Sequence, residues 1–498
     1  MEYIMAGQYR KMFEREAKEK AYPLYLNLSM KKSLRDIYDS RAYLKGNCLV
    51  NMIFHFLGES IFFSSIKRYI NIYRHGAADQ EDLWDIFQEE IKSRSHMEFS
   101  MRNIMKNWTD HAGFPVVHVL RNNETGLVEL TQERFYRDAL NPHGTSEELW
   151  SIPLTWTIES DQRFDGTLPK AWMLERRMVI NDTGLSEAIF NNQWILFNIN
   201  QTGLYRVNYD VENWRLLTNR FDILPETTKL QILNDAFAMF NAGLLDQAFL
   251  WKILLKFNVD TEETVWLSVK DAFKYIEYRL WDSQVFEFVT CKLVEDVYIS
   301  KVKNLFEIDI DSWSTFNFEM TKWACSMGHK TCIKSVLNFV DELLENDTSI
   351  TDDLTREFRL WAYCTYAKFS SEEQWSKLLA KYHEAKENDK YSLAYALGCT
   401  LNITLIERIE YYDPLVNIFY DFSTTMDQEE NVKWLTRFKG SPGSKYDTLI
   451  ETIINDVKFN VAWNRRHKNV TIDRLRIIAD TMNESKDCLK NGRRNIYD

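Results

Sequence analysis

No proline occurs between Pro225 and Pro414 in this 498-residue chain. Proline removes a backbone donor and clashes with the preceding helical turn, so its absence over such a stretch favours long uninterrupted helices. Helical periodicity runs through this region, as in KLQILNDAFAMFNAGLLD (229–246) and KYSLAYALGCTLNITLIERI (390–409). Helices of about 12–18 residues joined by short turns predict stacked antiparallel pairs, an α-solenoid of HEAT or armadillo texture without a strict repeat. The loop KGSPGSK (439–445) is the clearest break within it.

The first part of the chain also reads as helical. Leu49, Val50, Ile53, Phe54, Phe56 and Leu57 fall on one apolar face. EDLWDIFQEEI (81–91) repeats the pattern, and its Glu81 and Asp82 suit a helix N-terminus. A third helix, over 100–109, is expected to end at HAGFP, where Gly113 and Pro115 mark a boundary. From Phe114 to Asp210 the texture changes to short β-rich runs: FPVVHVL, GLVELTQERF, SIPLTWTI, AWMLERRMVI, WILFNIN and GLYRVNYD. Their spacing predicts a compact antiparallel sandwich, with NPHGTSEE (141–148) as a loop. The expected fold is therefore mainly α with a small β-sandwich, divided into 1–113, 114–210 and 211–498.

Apolar residues make up 45% and charged residues 27%, which excludes a disordered chain. The net charge of −12 argues against nucleic acid as a partner, since phosphate binding needs a basic face. Arg465-Arg466-His467-Lys468 reads as a solvated helix face. No transmembrane window, secretory leader or lipid-anchor tail is legible, so the chain as written is expected to be soluble and cytoplasmic. Nine Asn-x-Ser/Thr sequons point the other way, toward a glycosylated ancestry. Asn123, Asn181, Asn346 and Asn483 are the glycosylation candidates, whereas Asn107, beside Trp108, is expected to be silent in a buried turn. None of the seven cysteines forms a CxxC pair, so no thiolate zinc site is expected.

A zinc hydrolase would place two histidines one helical turn apart with a glutamate beside the first as general base. That HExxH pattern is absent. His383-Glu384, followed by Glu387 where a second ligand would stand, reads as an exposed helix face. There is no GxSxG, P-loop or GxGxxG. What remains is AYLKGNCLVNMIFHFLGES (42–60), read as a tight Lys-Gly turn feeding an apolar helix with Tyr43 just ahead of the turn. A tyrosine so placed can donate a hydrogen bond to a developing oxyanion, and losing one such donor costs on the order of 10²–10³ in rate. On spacing alone, a buried structural tyrosine is the plainer reading.

Five segments in order resemble the gluzincin zinc aminopeptidases of the aminopeptidase N type. RAYLKGNCLVNMIFHFLGES is similar to that family's Tyr-x-Lys-Gly-Ala helix start, and MKNWTDHAGFPVVHV (105–119) to its junction into the β domain. LTQERF (130–135), GLYRVNYDVENW (203–214) and LQILNDAF (230–237) complete the set. The resemblance implies that 1–113 is the distal helical part of a thermolysin-like catalytic domain, 114–210 its β-sandwich and 211–498 a bowl-shaped α-solenoid. It implies Tyr43 as transition-state stabiliser, and disulfides Cys325–Cys332 and Cys364–Cys399 of an oxidised, extracellular or plasma-membrane parent. The family's zinc ligands and its amine-binding motif would fall before Met1. Asn47 and Ala42 replace the family's small residue after Gly46 and its Ser or Thr before Tyr43, and the helical domain looks shortened near 408–415.

Three readings follow. As a truncated aminopeptidase N-like chain, the protein would bind no zinc and hydrolyse no peptide alone, leaving Tyr43 orphaned. As a truncated product or gene model, it would have an active parent whose reading frame continues upstream. As a non-enzymatic scaffold, its concave helical face would bind peptides or a partner chain, and the surface left by the missing domains would drive self-association.

Overall fold

A computed structural model describes residues 2–18, 21–25, 40–94, 99–137, 147–280, 283–302, 314–346, 356–385, 387–400, 405, 436, 447–485 and 487–488. KGSPGSK and the region near 408–415 lie outside the described residues. The chain divides into two compact units, Met1–Lys256 and Phe257–Asp498.

The first unit opens with helices α1 (Glu2–Glu16), α2 (Ser40–Leu57), α3 (Glu59–Ile72), α4 (Gln80–Arg94) and α5 (Met101–Asp110). α5 illustrates why they form. The Ser100 side chain accepts a hydrogen bond from Asn103 N, satisfying one donor of the first turn, and Met101, Ile104, Met105 and Trp108 are buried along one face. Each such burial is worth about 1.5–3 kcal/mol. The helix stops where His111 turns extended, and Gly113 then takes φ 77. That dihedral favours glycine, and a Cβ there would also push on the Arg134 side chain, whose Nε would lie 2.7 Å away. Asn107 lies in the last turn of α5, beside the fully buried Trp108.

Strands follow: β1 (Pro115–Arg121), β2 (Val128–Arg134), β3 (Ile152–Leu154), β4 (Trp156–Ile158), β5 (Ala171–Met173), β6 (Arg177–Ile180), β7 (Ile195–Phe197) and β8 (Arg206–Tyr209). Every β-rich run of the sequence contains one or two of them. They form a four-stranded sheet of order β6-β2-β1-β8 and two pairs, β3·β5 and β4·β7. The pairing is not wholly antiparallel: β8 runs parallel to β1, with Val117 opposite Val207. A parallel neighbour needs a long crossover, and residues 122–205, β2 among them, supply it. Within that crossover Thr183–Phe190 is a helix, α6, where the sequence suggested only strands; the Asp182 side chain caps it by accepting from Leu185 N.

Helices α7 (Val211–Asn219), α8 (Glu226–Asn241) and α9 (Gln247–Leu254) complete the first unit. α8 is buried from Leu230 to Phe240, the mark of a core helix rather than a surface one. The second unit is helical among its described residues: α10 (Glu263–Leu280), α11 (Gln284–Lys301), α12 (Thr315–Ser326), α13 (Lys330–Asn346), then Arg356–Phe369, Glu372–Glu384, Glu387–Leu397 and Asp447–Asp480. Serine caps recur at their starts, and Ser371 with Gln374 forms a reciprocal capping box.

Candidate functional site

The Lys45-Gly46 pair is not a turn. Residues 40–57 are continuous helix, and nothing lies within 4 Å of a Cβ built on Gly46, so no close approach requires glycine there. The helix persists because Lys45 has a buried role. Its Nζ donates to His111 O (2.8 Å), Gly113 O (3.1 Å) and Glu16 Oε2 (3.4 Å). Glu16 Oε2 also accepts from Gly113 N at 3.0 Å. Burial lowers the Lys45 pKa, with the Glu16 carboxylate opposing the shift. One ion pair thus ties the end of α1, the start of α2 and the α5–β1 turn.

Two more contacts stiffen this base. The Tyr9 hydroxyl donates to Thr202 O (2.9 Å) and to Cys48 O (3.3 Å), joining α1 and α2 to the chain ahead of β8. Arg206 donates to Asp235 Oδ1 (2.8 Å) and Asn234 O (3.0 Å), while Val207 N donates to Asp235 Oδ2 (3.2 Å). The Arg206 guanidinium lies 4.4 Å from the centre of the Phe13 ring. Burial pushes the Asp235 carboxyl up to about 6, and Arg206 acts against that rise. Cys48 is the free cysteine, buried in α2, with its thiol pushed up to about 12 by burial.

On this base Tyr43 points outward. It is 71% exposed, two residues before the inward-facing Lys45, so it is not the buried structural tyrosine that spacing alone favoured. An exposed phenol on a rigid helix can donate a hydrogen bond to a group brought against that face.

Among the described residues, one group of three metal-ligating side chains comes together, and it is in the second unit. Glu295, His329 and Asp487 are buried with their ligand atoms within 4.8 Å of one another. The group does not fit a zinc site. His329 Nδ1 accepts the Cys332 backbone N–H at 3.3 Å, which puts the neutral imidazole's proton on Nε2, the atom that faces Asp487 at 3.9 Å. Asp487 Oδ1 is already bonded to Thr331 N (2.9 Å) and Thr331 Oγ1 (2.6 Å), and Lys292 pairs with Glu295. The cluster caps the start of α13 instead. His383 and Glu384 are exposed at the end of their helix, and Glu387 begins the next, so they share no metal-facing turn. His118, on β1, meets Glu133 (2.9 Å) and Asn208 (3.2 Å) across neighbouring strands.

The second unit holds the disulfides Cys325–Cys332 and Cys364–Cys399, the two pairs that the resemblance implied. A third, Cys291–Cys488, escaped the sequence reading, because 197 residues separate its partners and no local spacing signals it. Of the sequon asparagines, Asn123, Asn181, Asn469 and Asn483 are exposed. The side chain of Asn346 lies outside the described residues. No described helix is long and apolar enough to cross a membrane.

The helices around Tyr43 and the disulfides Cys325–Cys332 and Cys364–Cys399 fall within stretches that two family models match. Residues 1–108 match the Peptidase family M1 domain, and residues 194–413 match the ERAP1-like C-terminal domain. The chain is 26% identical over 408 residues to an aminopeptidase N of Plutella xylostella, covering 78% of this chain and 42% of that protein. It is 26% identical over 431 residues to the rat thyrotropin-releasing hormone-degrading ectoenzyme, covering 82% and 39%. Human aminopeptidase Q is 24% identical over 405 residues, covering 76% and 39%. The chain belongs to the aminopeptidase N type of peptidase family M1, and it spans about two fifths of the length of these relatives.

Proposed function

We propose that these 498 residues are the C-terminal portion of a zinc-dependent aminopeptidase that removes N-terminal residues from peptides. In this reading Tyr43 is the hydrogen-bond donor to the transition-state oxyanion, and Lys45 with Glu16 holds the helix that carries it. The observation that carries it is the outward Tyr43 within the stretch matching the M1 domain, anchored two residues later by a buried ion pair. Residues 1–113 would be the distal part of the catalytic domain, the three small sheets a β-sandwich, and the helices from 211 onward a solenoid.

The 498 residues contain no HExxH, and the one buried cluster of ligating side chains among the described residues is committed to capping a helix. The chain alone is therefore expected to be catalytically incompetent. The parent family's peptide substrates and extracellular setting pass to this chain only as part of the same proposal. A reading frame that continues upstream of Met1 into HExxH supports the reading, and an in-frame stop close upstream counts against it. Mixing the chain with a zinc-bearing N-terminal portion of a relative tests Tyr43 directly. Hydrolysis restored by the parent chain should fall about 10²–10³-fold with Tyr43→Phe. An unchanged rate would remove Tyr43 from the chemistry.

A further inference from the structure

Between β7 and β8 the chain runs through a loop, residues 198–205, that lies inside the first unit. Asn198 is buried, and so are Ile199, Gln201, Thr202, Leu204 and Tyr205. Loops ordinarily lie at the surface, because a buried one must find a partner for each backbone group. This one also departs from the usual backbone. Six non-glycine residues with positive φ occur among the described residues, and three stand here: Asn198 (φ 60), Asn200 (φ 53) and Gln201 (φ 53). Asparagine tolerates the left-handed region, but glutamine has no such ease, and the glycine of the segment is at 203. Gln201 Nε2 is buried without a hydrogen-bond partner among the described residues. Backbone strain of this kind persists only where the surroundings over-determine it, and it gathers where a fixed geometry is used.

The surroundings here do so from two sides. The Asn198 side chain closes the loop on itself: Oδ1 accepts from Gly203 N (2.8 Å), and Nδ2 donates to Gly203 O (3.0 Å) and Tyr205 O (2.9 Å). Ile199 N donates to Thr155 Oγ1 (2.9 Å), and the Asn200 amide donates to Phe164 O (2.7 Å). Held in this way, the loop presents two backbone groups to the helices. Thr202 O, the carbonyl just after Gln201, accepts the Tyr9 hydroxyl at 2.9 Å, and Leu204 N donates to Met52 Sδ at 3.5 Å. The Tyr9 hydroxyl also donates to Cys48 O and accepts from Asn51 Nδ2, both at 3.3 Å. Cys48, Asn51 and Met52 occupy the turns of α2 that follow Tyr43. Lys45 anchors the helix at the α5–β1 turn, and the loop anchors it at a second place. Two anchors along one helix fix its rotation as well as its height.

We propose that Asn198 and Tyr9 are positioning residues: the left-handed loop that Asn198 closes, read through the Tyr9 hydroxyl, sets the rotation and axial place of α2 and so of Tyr43. The effect on the helix rests on these contacts alone. The effect on chemistry rests on the reading of Tyr43 as oxyanion donor.

The test uses two variants of the full chain. Tyr9→Phe keeps the ring and removes the hydroxyl, and Asn198→Gly keeps the dihedral accessible while removing the clamp. In hydrogen exchange each should lower the protection of amides 47–54 about 3–10-fold, with α4 and α5 unmoved. The double variant should lose no more than the larger single loss, because both changes cut one link. Unchanged protection at 47–54, equal losses through α4 and α5, or losses that add would overturn the brace. If Asn198→Gly does not fold, Tyr9→Phe carries the same comparison between α2 and its neighbours. In hydrolysis restored by a zinc-bearing N-terminal portion of a relative, Tyr9→Phe should lower kcat several-fold and leave KM in place. A kcat that Tyr43→Phe lowers and Tyr9→Phe does not would overturn the positioning role. If protection falls as expected but Tyr43→Phe leaves the rate unchanged, the oxyanion reading fails and the brace stands.

Discussion

The Cys291–Cys488 bond is expected to be the strongest of the three cross-links. In the chain-entropy account, a bond restricts the unfolded state in proportion to the logarithm of the loop it closes. Separations of 197, 35 and 7 residues give about 5, 4 and 2 kcal/mol for Cys291–Cys488, Cys364–Cys399 and Cys325–Cys332. The first value is a ceiling, since the other two bonds already shorten the loop it closes. The structure adds a local consequence. Asp487, next to Cys488, receives Thr331 N on its side chain and Lys330 N on its carbonyl, so the disulfide holds a cap on the first turn of α13. Removing it by Cys291→Ser with Cys488→Ser should lower the urea stability of the second unit by roughly 3–5 kcal/mol. The amides of Lys330 and Thr331 should lose protection in hydrogen exchange before the rest of α13. The Cys325→Ser with Cys332→Ser variant should cost less. A loss below about 1 kcal/mol, or unchanged protection at 330 and 331, would refute the reasoning.

Gly46→Ala should raise the stability of the first unit by about 0.5–1 kcal/mol in urea unfolding, because the position is helical and open; a loss would restore the turn expected from sequence. Cys48, its thiol pushed up to about 12, should resist iodoacetamide at pH 8 until the first unit unfolds, and prompt labelling of the native chain would contradict its burial. Asp235 keeps its proton to about pH 6 in the folded chain, above the ordinary 3.8. Its contribution to stability is thus fully present below about pH 4 and lost as pH rises through about 6. Asp235→Asn should flatten that part of the pH profile of urea midpoints, and an unaltered slope would refute it.

The outline of the first unit was legible because its signals are local. Met101, Ile104, Met105 and Trp108 repeat at helical spacing, and HAGFP stops the helix by one glycine dihedral and one proline. What escaped depended on distant partners. The parallel register of β8 on β1 is chosen across a long crossover, and α6 rests on a single aspartate cap in β-rich surroundings. Lys45-Gly46 was misread because a lysine beside a glycine looks like a turn, whereas its ammonium is drawn inward by Glu16 and two carbonyls more than sixty residues away. Tyr43 was singled out by its motif, but its outward direction required the structure. Cys291 and Cys488 carry no signature beyond being cysteines.

The most direct test takes the purified 498-residue chain, measures bound zinc by atomic emission and follows release of aminoacyl-anilides. Absence of stoichiometric zinc and of hydrolysis is the expected result, because the 498 residues carry no HExxH. One zinc per chain, with turnover abolished by Tyr43→Phe, would contradict it.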